Sequence, residues 1–401
     1  MLGDRLVRAS GRGARLVSLA WLVAVAPTGY ARADFSACVD ELKAEATHHG
    51  VSRGTIQAAF SDIRPDPKIL DLENYQPEFK TPIWDYLAAL VDDERVTDGK
   101  AAMASNARAL ALAEEKYGVS RYVIAAIWGI ESNFGQEMGD RPLVQSLTTL
   151  ACSASRRPGY FRGELMSTLK IADDGYIPLE KLKGSWAGAF GQTQFMPSTF
   201  LRLAVDLDGS GRNIVDNAAA ALGSTANYLK KSGWKTGEPW GFEVKLPADY
   251  AGPSGRRDKH TMSFWSARGI SRIDGRGLGG GTAGLLLPAG SKGPAFLVTS
   301  NFDAIYSYNS AESYTLAAAI LAQRLAGGSG IVTPWPTDDP GLSRAERREM
   351  QELLTKRGYD VGAPDGAIGQ KTKSAIADFE GKSGLTVDGR ASQKVLKALR
   401  R

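Results

Sequence analysis

Apolar residues recur at helical spacing in four Ala-rich stretches, 101–116, 120–131, 217–231 and 312–326. Each pattern predicts a helix. In the second stretch Ile124, Ile127, Trp128 and Glu131 follow an i, i+3, i+4, i+7 spacing. A carboxylate therefore shares the apolar face of its helix. The C-terminal residues, 341–401, read as three shorter helices. Ser343 with Glu346 spells a capping box ahead of Met350, Leu353 and Leu354. Ala375, Ile376 and Phe379 mark the second helix, and Val395, Leu396 and Leu399 the third. An Asp-Gly followed by Gln-Lys occurs twice, at 365–371 and 388–394. Asp-Gly suits a tight turn before a helix. Residues 275–295 are Gly-rich and predict a loop or short hairpin.

Punctuation divides the chain. Gly327, Gly328, Ser329 and Gly330, then Pro334, Pro336 and Pro340, mark a linker over 327–340. Residues 34–326 form one large, mainly helical unit. Ahead of it, Arg5, Arg8, Arg12 and Arg15 precede an uncharged apolar run, 16–26, and the small-x-small sequence Ala31-Arg32-Ala33 follows. The run is too short to span a bilayer. It predicts a secretory signal peptide over 1–33, periplasmic export and no stable membrane anchor. Export gives the cysteines a meaning. Cys38 and Cys152 are the only two, and an even pair in an oxidising compartment predicts one disulfide.

Charge then needs locating. The 401 residues carry a net +5, with 43% hydrophobic and 23% charged residues. Wholesale disorder is excluded. The excess is divided as +4 in the leader, −4 over 34–340 and +5 over 341–401. A nucleic-acid partner is therefore not implied. The C-terminal charge is expected to meet an acidic polymer.

Few catalytic groups remain after exclusions. There are three His, no His-Glu-x-x-His and no phosphate-binding Gly-x-x-x-x-Gly-Lys-Ser/Thr loop. His260 lies in a basic, polar stretch and reads as solvated. Carboxylates are the natural tools. Burial disfavours an ionised Glu, and a Glu kept protonated in an apolar cleft suits acid-catalysed glycosidic cleavage. On this pattern alone, Glu131 could equally turn to solvent or pair with an Arg. A second segment, 184–200, is dense in Gly, amides, hydroxyls and aromatics, a composition that suits sugar binding.

Glu131-Ser132-Asn133-Phe134-Gly135 and Ala187-Gly188-Ala189-Phe190-Gly191, continuing to Gln194-Phe195-Met196-Pro197-Ser198, resemble the membrane-bound lytic murein transglycosylase B family. Ser155-Arg156-Arg157, Ala226-Asn227-Tyr228 and Tyr306-Ser307-Tyr308-Asn309 extend the resemblance across most of 35–326. Residues 341–401 are similar to a small three-helix peptidoglycan-binding domain. The resemblance implies a mainly α chain: a lysozyme-like α+β catalytic domain with helical extensions, followed by the three-helix domain.

It also implies an enzyme that cleaves the MurNAc–GlcNAc β-1,4 bond of peptidoglycan glycan strands without water, leaving 1,6-anhydro-MurNAc. Glu131 would be the general acid and then the base, with no cofactor required. Ser185, Gln194, Tyr228, Tyr308 and Asn309 match positions that line the sugar cleft, with Tyr228 near Glu131. Phe134, Phe190 and Phe195 match as stacking surfaces or core. The alternatives are a lysozyme-type hydrolase and a non-catalytic wall-binding protein. Asp206, Asp208 and Ser210 stand at positions 1, 3 and 5 of an EF-hand-like loop. Asn217 replaces the Glu expected at position 12, so the Asp206–Arg212 loop is expected to be metal-free or to bind calcium weakly.

Overall fold

The computed structural model describes residues 28–73 and 81–401. The expected signal peptide lies outside them, except for the backbone of 28–33, which opens the helix Thr28–His48. The chain is mainly helical, and the predicted stretches differ from observation chiefly at their ends. The stretch 101–116 is split by Asn106 into the helices Asp93–Ser105 and Ala107–Tyr117. The other three fold as Arg121–Ser132, Ala218–Lys231 and Glu312–Leu325.

Two large hydrophobic clusters and a smaller one around Trp265 build the described part of the large unit. One surrounds the helix Arg121–Ser132 and includes Ile124, Ile127, Trp128, Phe302, Tyr314 and Leu321. Residues 123–129 of that helix are all buried. It is a central helix, enclosed on every side, not an amphipathic one lying on a surface. The second cluster packs the N-terminal helix against Leu143–Ser153 and Pro158–Asp173, with Leu42, Leu147, Leu165, Phe190 and Phe200 inside. Cys38 and Cys152 are joined across it, closing a sequence separation of 114. Tyr228 and Tyr308 pack against both clusters, so the seam between the cores runs through them.

Among the described residues, seven short strands complete the unit. β1 (Arg141–Pro142) and β2 (Lys183–Gly184) form an antiparallel ribbon. β3 (Gly241–Lys245), β4 (Lys259–Thr261), β5 (Ser271–Arg272), β6 (Thr282–Leu286) and β7 (Ala295–Val298) form an antiparallel sheet of order β4-β6-β7-β3-β5. The Gly-rich stretch thus supplies the β6–β7 hairpin. It pairs Leu285 with Leu297 and Gly284 with Val298.

The C-terminal residues fold as the helices Arg344–Lys356, Gln370–Ser383 and Gln393–Leu399 around Met350, Leu354, Ile376 and Leu396. The Ser343–Glu346 capping box is present. Both Asp-Gly turns use positive φ, 82° at Gly366 and 67° at Gly389. Each is held by a buried acceptor on the preceding helix. Gly366 N donates to Gln351 Oε1 at 2.7 Å, and Gly389 N to Glu380 Oε2 at 2.8 Å.

This domain is docked on the large unit through its basic residues. Arg390 forks onto Asp85, with Nη2 2.7 Å from Oδ1. Arg348 pairs with Glu94 at 2.7 Å, and Arg344 pairs with Asp98 at 2.9 Å. Arg347 donates to the carbonyl of Ala89 at 3.2 Å. The expectation that the C-terminal charge faces an external polymer is therefore corrected for these four residues. They meet acidic and carbonyl groups of their own chain, because the unit they dock against carries the compensating negative charge.

Candidate active site

Glu131 lies at the C-terminal end of Arg121–Ser132 and is half-buried. Beyond it the chain turns sharply. Asn133 and Phe134 take φ of 48° and 60°, the left-handed region that only short polar residues and Gly visit easily. Ser132 fixes the turn, since its Oγ accepts from Gly135 N at 2.8 Å and donates to the carbonyl of Gln192. The reversal folds Phe134 back over its own helix. A Cβ at Gly129 would stand 2.5 Å from the Phe134 ring, and one at Gly99 2.7 Å from it. Glycine at both positions lets the ring seat in the core.

Three tyrosines face the seam. Tyr314, 1% exposed, donates its phenolic hydrogen to Glu131 Oε1 at 2.5 Å. Its ring lies parallel to that of Tyr308, centroids 6.5 Å apart. Tyr308 OH donates to the carbonyl of Thr193 at 2.8 Å. Tyr228 stacks at a tilt 4.8 Å from Tyr308 and donates to the carbonyl of Ser307 at 2.6 Å. Burial, then the Glu131 charge, pushes the Tyr308 and Tyr314 phenols well above their usual range. Both stay protonated, and Tyr314 remains a donor to the carboxylate.

The 184–195 segment closes the other side. Ser185 Oγ accepts from Ala189 N at 3.1 Å. Gln194 takes a φ of 50° and donates to the carbonyls of Met138 and Gly191 at 3.0 and 2.9 Å. The Thr193 carbonyl that Tyr308 reaches belongs to the same turn. Glu131, Gln194, Tyr228 and Tyr308 are thus brought together through the loops 132–138 and 191–195. Asn309 is exposed at the end of the helix Ser300–Asn309.

The stacking role for the phenylalanines is corrected. Phe190 and Phe195 are 0% and 2% exposed, and Phe134 is 7% exposed. Phe190 packs on Phe200, and Phe134 lies edge-on to Trp128. A buried ring has no free face to offer a sugar. The sequence reading also missed Tyr314. Its signal was present, since a lone phenol in an Ala-rich buried helix needs a polar partner.

The Asp206 loop lacks the closing carboxylate of an EF-hand calcium site, since Asn217 stands at position 12. Asp206 Oδ1 accepts from Gly209 N at 2.8 Å, and Asp208 Oδ1 from Ser210 N at 3.2 Å. Asn217 uses its Oδ1 to cap the helix Ala218–Lys231, accepting from Ala219 N and Ala220 N, while its Nδ2 donates to Ser210. The closing oxygen ligand of such a loop is therefore engaged elsewhere, and no bidentate Glu follows. Among the described residues no group of three or more His, Cys, Asp or Glu is placed to hold a metal ion. We expect neither EDTA nor millimolar calcium to shift the melting temperature by more than about 1 °C, because an ion that does not bind adds no stability. A calcium-dependent rise in a thermal melt would overturn this.

A half-buried carboxylate at a helix end, bonded by a buried phenol, suits acid-catalysed cleavage of a glycosidic bond. The chain belongs to the transglycosylase SLT-domain family, whose model matches residues 34–323. A peptidoglycan binding domain matches 343–399. Membrane-bound lytic murein transglycosylase B of Escherichia coli (strain K12) is 31% identical over 290 residues, covering 69% of this chain and 79% of that one. The crystal structure of SltB3 from Pseudomonas aeruginosa in complex with NAG-anhNAM-pentapeptide is 42% identical. It covers 92% of this chain and 99% of that one, with a TM-score of 0.73. The Escherichia coli lytic transglycosylase Slt35 in complex with calcium is 31% identical, covering 73% and 92%, with a TM-score of 0.64. No described helix is long and apolar enough to cross a membrane.

Proposed function

We propose that this chain cleaves the MurNAc–GlcNAc β-1,4 bond of peptidoglycan glycan strands, with Glu131 as both acid and base. Protonated Glu131 gives its proton to the leaving O4 as the C1–O4 bond breaks. The substrate's N-acetyl group supports the cation-like C1. The Glu131 carboxylate then takes the proton of the MurNAc 6-hydroxyl as O6 bonds to C1. No water enters, and the product carries a 1,6-anhydro ring. Ser185 and Asn309 orient the sugar and its acetamido group, Gln194 binds its polar edge, and Tyr228 and Tyr308 line the cleft.

The observation that carries this reading is the company Glu131 keeps. Tyr314 donates to it, with the Tyr308 ring lying parallel alongside. A retaining hydrolase instead sets a second carboxyl about 5–5.5 Å away. The periplasm, reached through a cleaved leader over 1–33, is the compartment that holds this substrate. The catalytic unit, 34–326, and the wall-binding unit, 341–401, are joined by the linker 327–340. Digestion of purified sacculi followed by mass spectrometry tests the chemistry. Anhydro-MurNAc ends are expected. Products heavier by one water would point to the hydrolase, and intact sacculi to a non-catalytic binder.

A further inference from the structure

The C-terminal domain touches the catalytic motif itself. Arg344, the first residue of the helix Arg344–Lys356, is buried at the interface. Its Nη1 donates to Asn133 Oδ1 at 3.1 Å, and its Nη2 to Asp98 Oδ2 at 2.9 Å. Its backbone N–H donates to Asp92 Oδ2 at 2.9 Å. Asn133 is two residues from Glu131 and caps the end of the same helix, its N–H donating to the carbonyl of Gly129. On its other side, Asn133 Nδ2 donates to Gln136 Oε1 and Glu137 Oε1 at 3.4 and 3.3 Å. One side chain therefore ties the loop beyond Glu131 to a residue 211 positions away in the wall-binding domain.

A second arginine acts at the same helix end. Arg95 donates to the Gly129 carbonyl from within the catalytic unit. Two cations at a helix C-terminus oppose the negative end of its dipole. Burial and the Arg344 charge hold the Arg95 guanidinium below its ordinary range, and Asp92, Glu137 and Asp98 counter them. The helix end and the domain interface thus form one buried charge network. The same interface reaches the site from a second direction. Arg390 clamps Asp85, next to Tyr86, and Tyr86 is buried in the same hydrophobic cluster as Tyr314.

We propose that Arg344 is a positioning residue for the reaction: through Asn133 it holds the turn that follows Glu131, so that the wall-binding domain is a structural part of the active site as well as a tether. The inference rests on the assignment of Glu131 as the acid. It is specific to a fork. A guanidinium spans Asn133 and Asp98 at once, which a lysine ammonium does not reproduce.

The test uses the full chain with Arg344→Gln, Arg344→Lys, Asn133→Gly, the double variant Arg344→Gln with Asn133→Gly, and Arg348→Gln. Glycine at 133 removes the side chain while tolerating the positive φ. Release of anhydro ends from short soluble glycan chains gives kcat and KM without dependence on wall tethering, and sacculus pull-down measures the tether. For Arg344→Gln we expect kcat to fall roughly tenfold, as a small displacement of a catalytic group does, with KM and pull-down within about twofold. Arg344→Lys should recover part of the rate. The double variant should lose little more than either single one, because both remove the same link. Arg348→Gln breaks the ion pair with Glu94, which Arg344 also approaches at 3.6 Å, but leaves the Arg344–Asn133 bond in place and should keep its rate. An unchanged kcat in Arg344→Gln, fully additive losses in the double variant, or an equal loss in Arg348→Gln would each overturn the proposal. If Arg344→Gln unfolds, Arg344→Lys and Asn133→Gly carry the same comparison. Failure of the Glu131 assignment would show separately, as turnover by Glu131→Gln.

Discussion

Glu131→Gln is expected to lower release of anhydro ends at least about 10³-fold while leaving sacculus pull-down intact. Gln is nearly isosteric, and its amide oxygen still accepts the hydrogen bond from Tyr314 that the carboxylate accepts at 2.5 Å. The site's shape therefore persists and only proton transfer is lost. General acid–base groups contribute about 10²–10⁴-fold each. In the proposed mechanism one residue serves both half-reactions, which places the effect toward the upper end. Timed digestion of sacculi by wild type and variant, with parallel pull-down, checks it. Solubilisation at an undiminished rate would remove Glu131 from the mechanism.

Tyr314→Phe should cost about 10–100-fold in kcat with little change in KM. The substitution keeps the ring parallel to Tyr308 and removes one hydroxyl. A hydrogen bond to a charged group contributes about 1.5–3 kcal/mol, which sets that range. Tyr314 is 1% exposed, so it lies behind the carboxylate and not against the sugar. Its loss should loosen the hold on the Glu131 rotamer without weakening substrate binding. Steady-state kinetics on soluble glycan chains separates the two. A raised KM at unchanged kcat would mean that the phenol contacts substrate instead.

The two variants also divide what was legible in the chain. Glu131 was visible because its motif is contiguous, although the reason first offered, a shared apolar face, was incomplete. The helix is buried all round, so periodicity alone did not say which side opens to the cleft. Tyr314 was hidden within an Ala-rich helix that reads as plain core. Phe134, Phe190 and Phe195 show the converse failure. An aromatic near a motif looks the same in sequence whether it faces a ligand or fills the interior, and here all three fill the interior. The five-stranded sheet was legible only at its β6–β7 hairpin. Its strands have five residues or fewer, and the order β4-β6-β7-β3-β5 pairs segments distant in the chain.

By itself the sequence determined the Ala-rich helices and the three C-terminal ones, the capping box at Ser343, the Asp-Gly turns and the two cysteines able to pair. These depend on hydrogen bonds within a few residues, on turn chemistry or on composition, all written locally. Tertiary structure alone decided the contacts across 183 residues from Tyr314 to Glu131 and across 211 from Arg344 to Asn133. It also turned the basic face of the small domain toward its own catalytic unit. Such contacts arise from how packed elements meet. A guanidinium binds whichever carboxylates packing brings to it, and no local pattern records which those are.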